Sequence, residues 1–109
     1  MMDINKYTYQ VSWSEQDGEF VAVVAEFPSL SWLDSDRQEA EAGLLRLVRE
    51  VVDDMEQSGE TIPIPLGEQA YSGKFNVRTS KSLHRRLVMA AKMEGVSLNS
   101  LVNQKLAEI

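Results

Sequence analysis

The chain has 109 residues, no cysteine, and 17 acidic against 11 basic side chains, for a formal charge of −6. That length holds one domain or two very small ones, and it excludes a large multi-domain enzyme. The absence of Cys excludes a disulfide scaffold and any thiolate-ligated zinc or iron–sulfur centre.

The net charge conceals a division. Residues 1–73 carry four basic and 15 acidic side chains, net −11, whereas residues 74–109 carry seven basic and two acidic, net +5. Such asymmetry points to two modules with different partners. No apolar run approaches the ~20 residues of a membrane span. The start, Met1-Met2-Asp3-Ile4-Asn5-Lys6, lacks the apolar core of a signal peptide. No membrane association and a cytoplasmic location are expected.

Tyr7, Tyr9, Val11 and Trp13 alternate with Thr8, Gln10, Ser12 and Ser14, the period of a half-buried strand. Asp17-Gly18 supplies a turn, and Phe20 to Ala25 is apolar on both faces, which predicts a second strand covered on both sides. Pro28 interrupts pairing, and Leu30-Ser31-Trp32-Leu33 predicts a short third strand.

A long helix is expected next. Ser35 with Gln38, or Asp36 with Glu39, can form a capping box. Ala40, Leu44, Leu47, Val48, Val51 and Met55 then form an apolar stripe, and Gly59 is the expected stop. Arg46–Glu50 and Arg49–Asp53 are spaced for pairing on the outer surface. Ile62-Pro63-Ile64-Pro65 cannot be a central strand, because proline lacks a donor, and is expected as an edge strand or an extended linker. Residues 1–66 therefore read as a β-β-β-α-β module, and the turn-rich residues 67–73 as a linker.

In residues 74–109, Lys74-Phe75-Asn76-Val77-Arg78 alternates again. Thr79 and Ser80 are good caps for a helix from about Lys81 to Glu94, with Leu83, Leu87, Ala90 and Ala91 inward and Gly95 as stop. Ser97 caps a second helix with Leu98, Leu101, Val102 and Leu106 as its stripe. A lone strand with two helices cannot satisfy its own backbone groups, so a homodimer is expected.

This strand–helix–helix run resembles a ribbon–helix–helix DNA-binding domain, carried by Lys74–Arg78, Ser80–Leu87 and Glu94–Leu101. The resemblance implies that Lys74, Asn76 and Arg78 read bases, and that the amides near Ser97, Leu98 and Asn99 hold a phosphate. It also implies a dimer core of Phe75, Val77, Leu83, Leu87, Leu101 and Val102. Thr79-Ser80 stands where many family members have a proline, and this leaves the capping role intact. The acidic half, with Tyr7 to Trp13, Phe20-Val21-Ala22, Glu26-Phe27-Pro28-Ser29-Leu30, Asp34 and the long helix, is similar to HicB-type antitoxins.

That likeness implies an α+β chain with a partial RNase H-like N-terminal module. It implies an antitoxin that silences a HicA-type mRNA-cleaving toxin and represses its own operon at operator DNA. The C-terminal dimer could link N-terminal modules into tetramers. Glu26, Trp32, Asp34 and Asp36 are the candidate toxin-binding residues. A stand-alone DNA-binding regulator, whose acidic module senses a ligand or protein, is the alternative.

No catalysis, metal or other cofactor is expected. Glu26, Asp34 and Asp36 could be read as a magnesium-holding cluster, but helix capping and solvation explain them more simply. His84 is the single histidine and has no evident Ser partner.

Overall fold

The computed structural model describes residues 2–109. The chain is α+β, with a three-stranded antiparallel sheet followed by helices, and divides into two compact units, Met1–Tyr71 and Ser72–Ile109.

Alternation builds the first unit's sheet. Strands β1 (Tyr9–Ser14), β2 (Glu19–Val24) and β3 (Ser31–Asp34) lie in the order β1-β2-β3. The register sets Tyr9 opposite Val24, Trp13 opposite Phe20, and Phe20 opposite Asp34. Tyr9, Val11, Phe20, Ala22 and Val24 thereby share the face that packs into the core. At the β1–β2 turn, Ser14 Oγ accepts from the Asp17 amide at 3.2 Å and donates to the Asp17 carboxylate at 2.9 Å.

Helix α1 (Arg37–Ser58) covers that face. The Asp36 carboxylate accepts from the Glu39 amide at 3.2 Å, so the second of the two expected capping geometries starts the helix, and Gly59 ends it. Ala40, Leu44, Val48 and Val52 are fully buried against Ala22, Val24, Ile4, Tyr7 and Phe27. Gly43 admits the Trp32 indole directly against the helix backbone, where a Cβ would overlap the ring.

Several expectations need correction. Tyr7 lies outside β1, after a 3-10 turn at Ile4–Lys6, and is buried edge-on to Phe27 at 5.3 Å. Strand β2 is covered on one face only, because a single helix cannot cap both. Val21 and Val23 lie on the opposite face beside Gln10, Ser12, Ser31 and Leu33. The expected helix-surface pairs do not form: Arg49 instead donates to the Met2 carbonyl at 3.3 Å, and the one ion pair among the described residues is Lys6–Glu68 at 3.0 Å.

The fifth element of the expected β-β-β-α-β order is absent. Residues 62–65 join no strand, since Pro63 and Pro65 have no amide to donate. Side chains hold the segment instead. The Tyr7 hydroxyl donates to the Pro63 carbonyl at 2.8 Å, and Glu26 accepts from the Leu66 amide at 2.9 Å. The same carboxylate accepts from the Thr8 amide at 2.9 Å and the Thr8 hydroxyl at 3.1 Å. Desolvation pulls the Glu26 pKa upward, but the amides of Leu66 and Thr8 outweigh it and hold the group below its ordinary value.

Among the described residues no helix is long and apolar enough to cross a membrane. In the second unit, α2 (Lys81–Glu94) and α3 (Leu98–Leu106) form a helical hairpin joined at Gly95. Gly95 takes φ 71°, a left-handed geometry that lets the Val96 amide donate back to the Ala91 carbonyl at 3.0 Å.

Gly43→Ala tests the indole contact by its sign. An ordinary helical Gly→Ala gains about 0.5–1 kcal/mol, whereas overlap with Trp32 costs about 1–3 kcal/mol. Urea unfolding should show a net loss that shrinks when Trp32 is also truncated. Glu26 should show in the pH dependence: its contribution is complete above the ordinary value of 4.5 and is lost as pH falls through the lowered folded value. Glu26→Gln should therefore be less stable than the parent at neutral pH in thermal melts, with the gap narrowing in acid.

Candidate functional site

The C-terminal unit is built from helix caps inward. Ser80 Oγ accepts from the Leu83 amide at 3.2 Å, and Ser97 Oγ accepts from the Ser100 amide at 3.0 Å, which fixes where α2 and α3 begin. With the turn at Gly95, these caps bring Ala91 and Leu101 together as the unit's only buried apolar residues. Leu101 is 1% exposed within a single chain, so of the six expected dimer-core residues it already has its cover.

The other apolar positions remain open. Val77, Leu83, Leu87 and Val102, with Leu98 and Leu106, line a groove of about 660 Å³ whose rim includes His84, Thr79 and Lys105. Phe75 borders a second groove, shared with Asn76, Asn99 and Asn103. The strand expected at Lys74–Arg78 does not form: the segment has no regular secondary structure and no ladder partner, because the only other elements of its unit are helices. Phe75 and Val77 are 73% and 64% exposed as a result.

Lys74, Asn76 and Arg78 alternate along this open segment, and all three are exposed. Among their side chains no intramolecular hydrogen bond or ion pair within range appears in the described residues. At α3, Ser97 Oγ is occupied by Ser100, donating to its hydroxyl at 3.0 Å as well as accepting from its amide. The amides of Leu98 and Asn99 in that first turn have no intrahelical acceptor.

In the N-terminal unit the four candidate partner-binding residues fall into two places. Asp34 accepts from the Asp36 amide at 2.9 Å, and Trp32 precedes them on β3 against Gly43. Glu26 lies beyond the opposite end of β2, a strand length of about 20 Å away, where it binds Thr8 and Leu66. Among the described residues no three His, Asp or Glu side chains gather as a metal site.

Sequence reasoning treated Trp13 only as a strand residue. It is 49% exposed, stacked edge-on to Phe20 at 5.1 Å, and it stands at the same sheet end as Asp34. The signal was available in the alternation, since Trp13 is the last inward position of β1 and α1 begins only at Arg37.

A protein-family model described as the HicB family matches residues 56–106, from the last turn of α1 through the end of α3. That part of the chain is similar to the family, and at the family level the match supports a toxin–antitoxin antitoxin with a toxin as partner. No curated protein and no solved structure matches the chain.

Leu101→Ala should cost about 2–5 kcal/mol by leaving a cavity between the two helices. Hydrogen exchange should then show amides of α2 and α3 losing protection while those of β1–β3 keep theirs. Equal loss in both units would contradict a separate C-terminal core.

Proposed function

We propose that this chain is the antitoxin of a type II toxin–antitoxin system. In this reading the N-terminal unit, a partial RNase H-like module, binds and neutralises a HicA-type mRNA-cleaving toxin. The C-terminal unit is a ribbon–helix–helix module that dimerises and represses the shared operon. The chain has no catalytic role of its own. The observation that carries the DNA-binding half is the unpaired Lys74–Arg78 segment beside an open apolar groove.

A second copy meets both needs at once. Antiparallel pairing of the two segments satisfies their peptide groups, and alternation then sends Phe75 and Val77 to one side of the ribbon. There they cover the groove of Leu83, Leu87 and Val102. Lys74, Asn76 and Arg78 emerge on the other side, six side chains in a dimer. A two-stranded ribbon fits the DNA major groove. Lys and Arg match guanine acceptors, and Asn matches adenine in a bidentate pair. The Leu98 and Asn99 amides at the start of α3 supply a phosphate contact that positions the ribbon without reading sequence.

Charge supports the division of labour. The +5 half is doubled in a dimer, while the −11 half is suited to a basic, RNA-binding protein and is repelled by DNA.

Gel shifts on the region upstream of the gene, paired with a growth assay against the neighbouring reading frame, test both halves. Arg78→Ala or Asn76→Ala should weaken specific DNA binding by about 1–3 kcal/mol per lost base contact. Both variants should still rescue growth when the neighbour is expressed. Unchanged DNA affinity removes the ribbon readout. A neighbouring product that is not toxic, or is not neutralised, removes the antitoxin role.

A further inference from the structure

Helix α1 leaves one end of the sheet's core-facing side partly uncovered. Because α1 starts at Arg37, the last cross-strand row of that face, Trp13, Phe20 and Asp34, lies at the helix's beginning. The next row inward is Val11, Ala22 and Trp32. Two tryptophans thus remain partly open at one end of one face, Trp13 at 49% and Trp32 at 37% exposure. Each is fixed from within: Trp13 is edge-on to Phe20, and Trp32 lies on the bare backbone at Gly43. An aromatic surface that is already ordered loses little side-chain entropy when a partner covers it.

The surroundings select the partner. The segments bordering this row carry Glu15, Asp17, Asp34, Asp36 and Glu39 against one cation, Arg37. Arg37 shows what the aromatic rings accept: its guanidinium stands 5.9 Å over the Phe20 centroid while donating to the Val11 carbonyl at 3.1 Å. Trp13, adjoining Phe20, has no such cation, and indole is the strongest cation–π acceptor of the aromatic side chains. The opposite face of the sheet, with Val21, Val23 and Leu33 among serines and a glutamine, carries a single charge, Glu19 at one end, against the cluster that borders the Trp13 row.

We infer that the Trp13–Trp32 end of the sheet is the docking surface for a basic protein segment, with an arginine side chain over the Trp13 ring and the neighbouring carboxylates pairing its other cations. This rests on the reading of the N-terminal unit as a protein-binding module, and it adds Trp13 to the expected Trp32, Asp34 and Asp36. A guanidinium can lie flat on an indole while its edge N–H groups reach carboxylates, so arginine suits this surface better than lysine.

Capped nona-arginine and nona-lysine peptides serve as probes for the full-length chain, with binding followed by calorimetry. Nona-arginine should bind more tightly than nona-lysine. Trp13→Leu should weaken nona-arginine binding about three- to fivefold, the exposed cation–π range. Trp13→Phe should recover part of the loss, and Asp54→Asn, on the far stretch of α1, should change little. Circular dichroism melts establish that each variant is folded.

Nona-arginine binding indifferent to Trp13 overturns the inference, as does Trp13-dependent binding of a uridine dodecamer in its place, or Trp13-dependent self-association in sedimentation. The growth assay separates this result from the antitoxin role. If nona-arginine binding depends on Trp13 but neutralisation does not, the surface stands and its use by a toxin falls. If neutralisation depends on Trp13 while nona-arginine does not bind, the preference for a basic segment is wrong and the antitoxin reading survives.

Discussion

Every extended segment of a protein must find partners for its peptide groups, and this chain meets that requirement in three different ways. β1 and β3 each pair antiparallel with the central β2. Residues 62–65 remove part of the demand with Pro63 and Pro65, while the Tyr7 hydroxyl holds the Pro63 carbonyl and the Glu26 carboxylate holds the next amide, Leu66. Lys74–Arg78 has no ladder, and only Lys74, bonded to the Ser72 hydroxyl, has side-chain help for its peptide groups. The first two solutions complete the N-terminal unit, and the third leaves the C-terminal unit dependent on something outside it.

Packing follows the same division. The N-terminal unit encloses an apolar cluster of nine buried residues around α1 and one face of the sheet. The C-terminal unit encloses Ala91 and Leu101 and leaves its remaining large apolar side chains open. A core that small does not offset the conformational entropy of some 38 ordered residues. The proposed dimer therefore follows from two independent shortages, of backbone partners and of buried apolar area, at the same place in the chain.

The acidic unit presents the opposite case. It is complete as a fold, and its exposed aromatics cannot be explained as an unfinished core. Helix α1 is positioned by its cap at Asp36 and by Gly43 against Trp32, and that placement leaves the Trp13–Phe20–Asp34 row beyond its first turn. The starting point of one helix thus decides which side chains of the sheet a partner can reach.

Much of this was legible in the residues. The alternation of Tyr9 to Trp13, the serine and aspartate caps, and the stops at Gly59 and Gly95 are local features, and local geometry reproduced them. The charge division needed no structure at all. Sequence reasoning erred where the outcome depended on distant neighbours. The apolar run at β2 resembled a doubly covered strand, but the unit has one helix to cover it. The bonds of Glu26 to Thr8 and Leu66 went unread, because only chain closure brings those groups to it. Arg49 was expected to pair along its helix, but the Met2 carbonyl is within its reach.

By itself, then, the sequence determined the elements, their caps and the sign of charge in each half, because these depend on residues a few positions apart. Only the tertiary structure decided which sheet face is covered, that Leu101 is sealed within one chain while Val77 and Leu83 wait open, and that Trp13 shares its sheet end with Trp32 and Asp34. Those outcomes depend on contacts between residues far apart in the chain, where periodicity carries no information about which neighbour arrives.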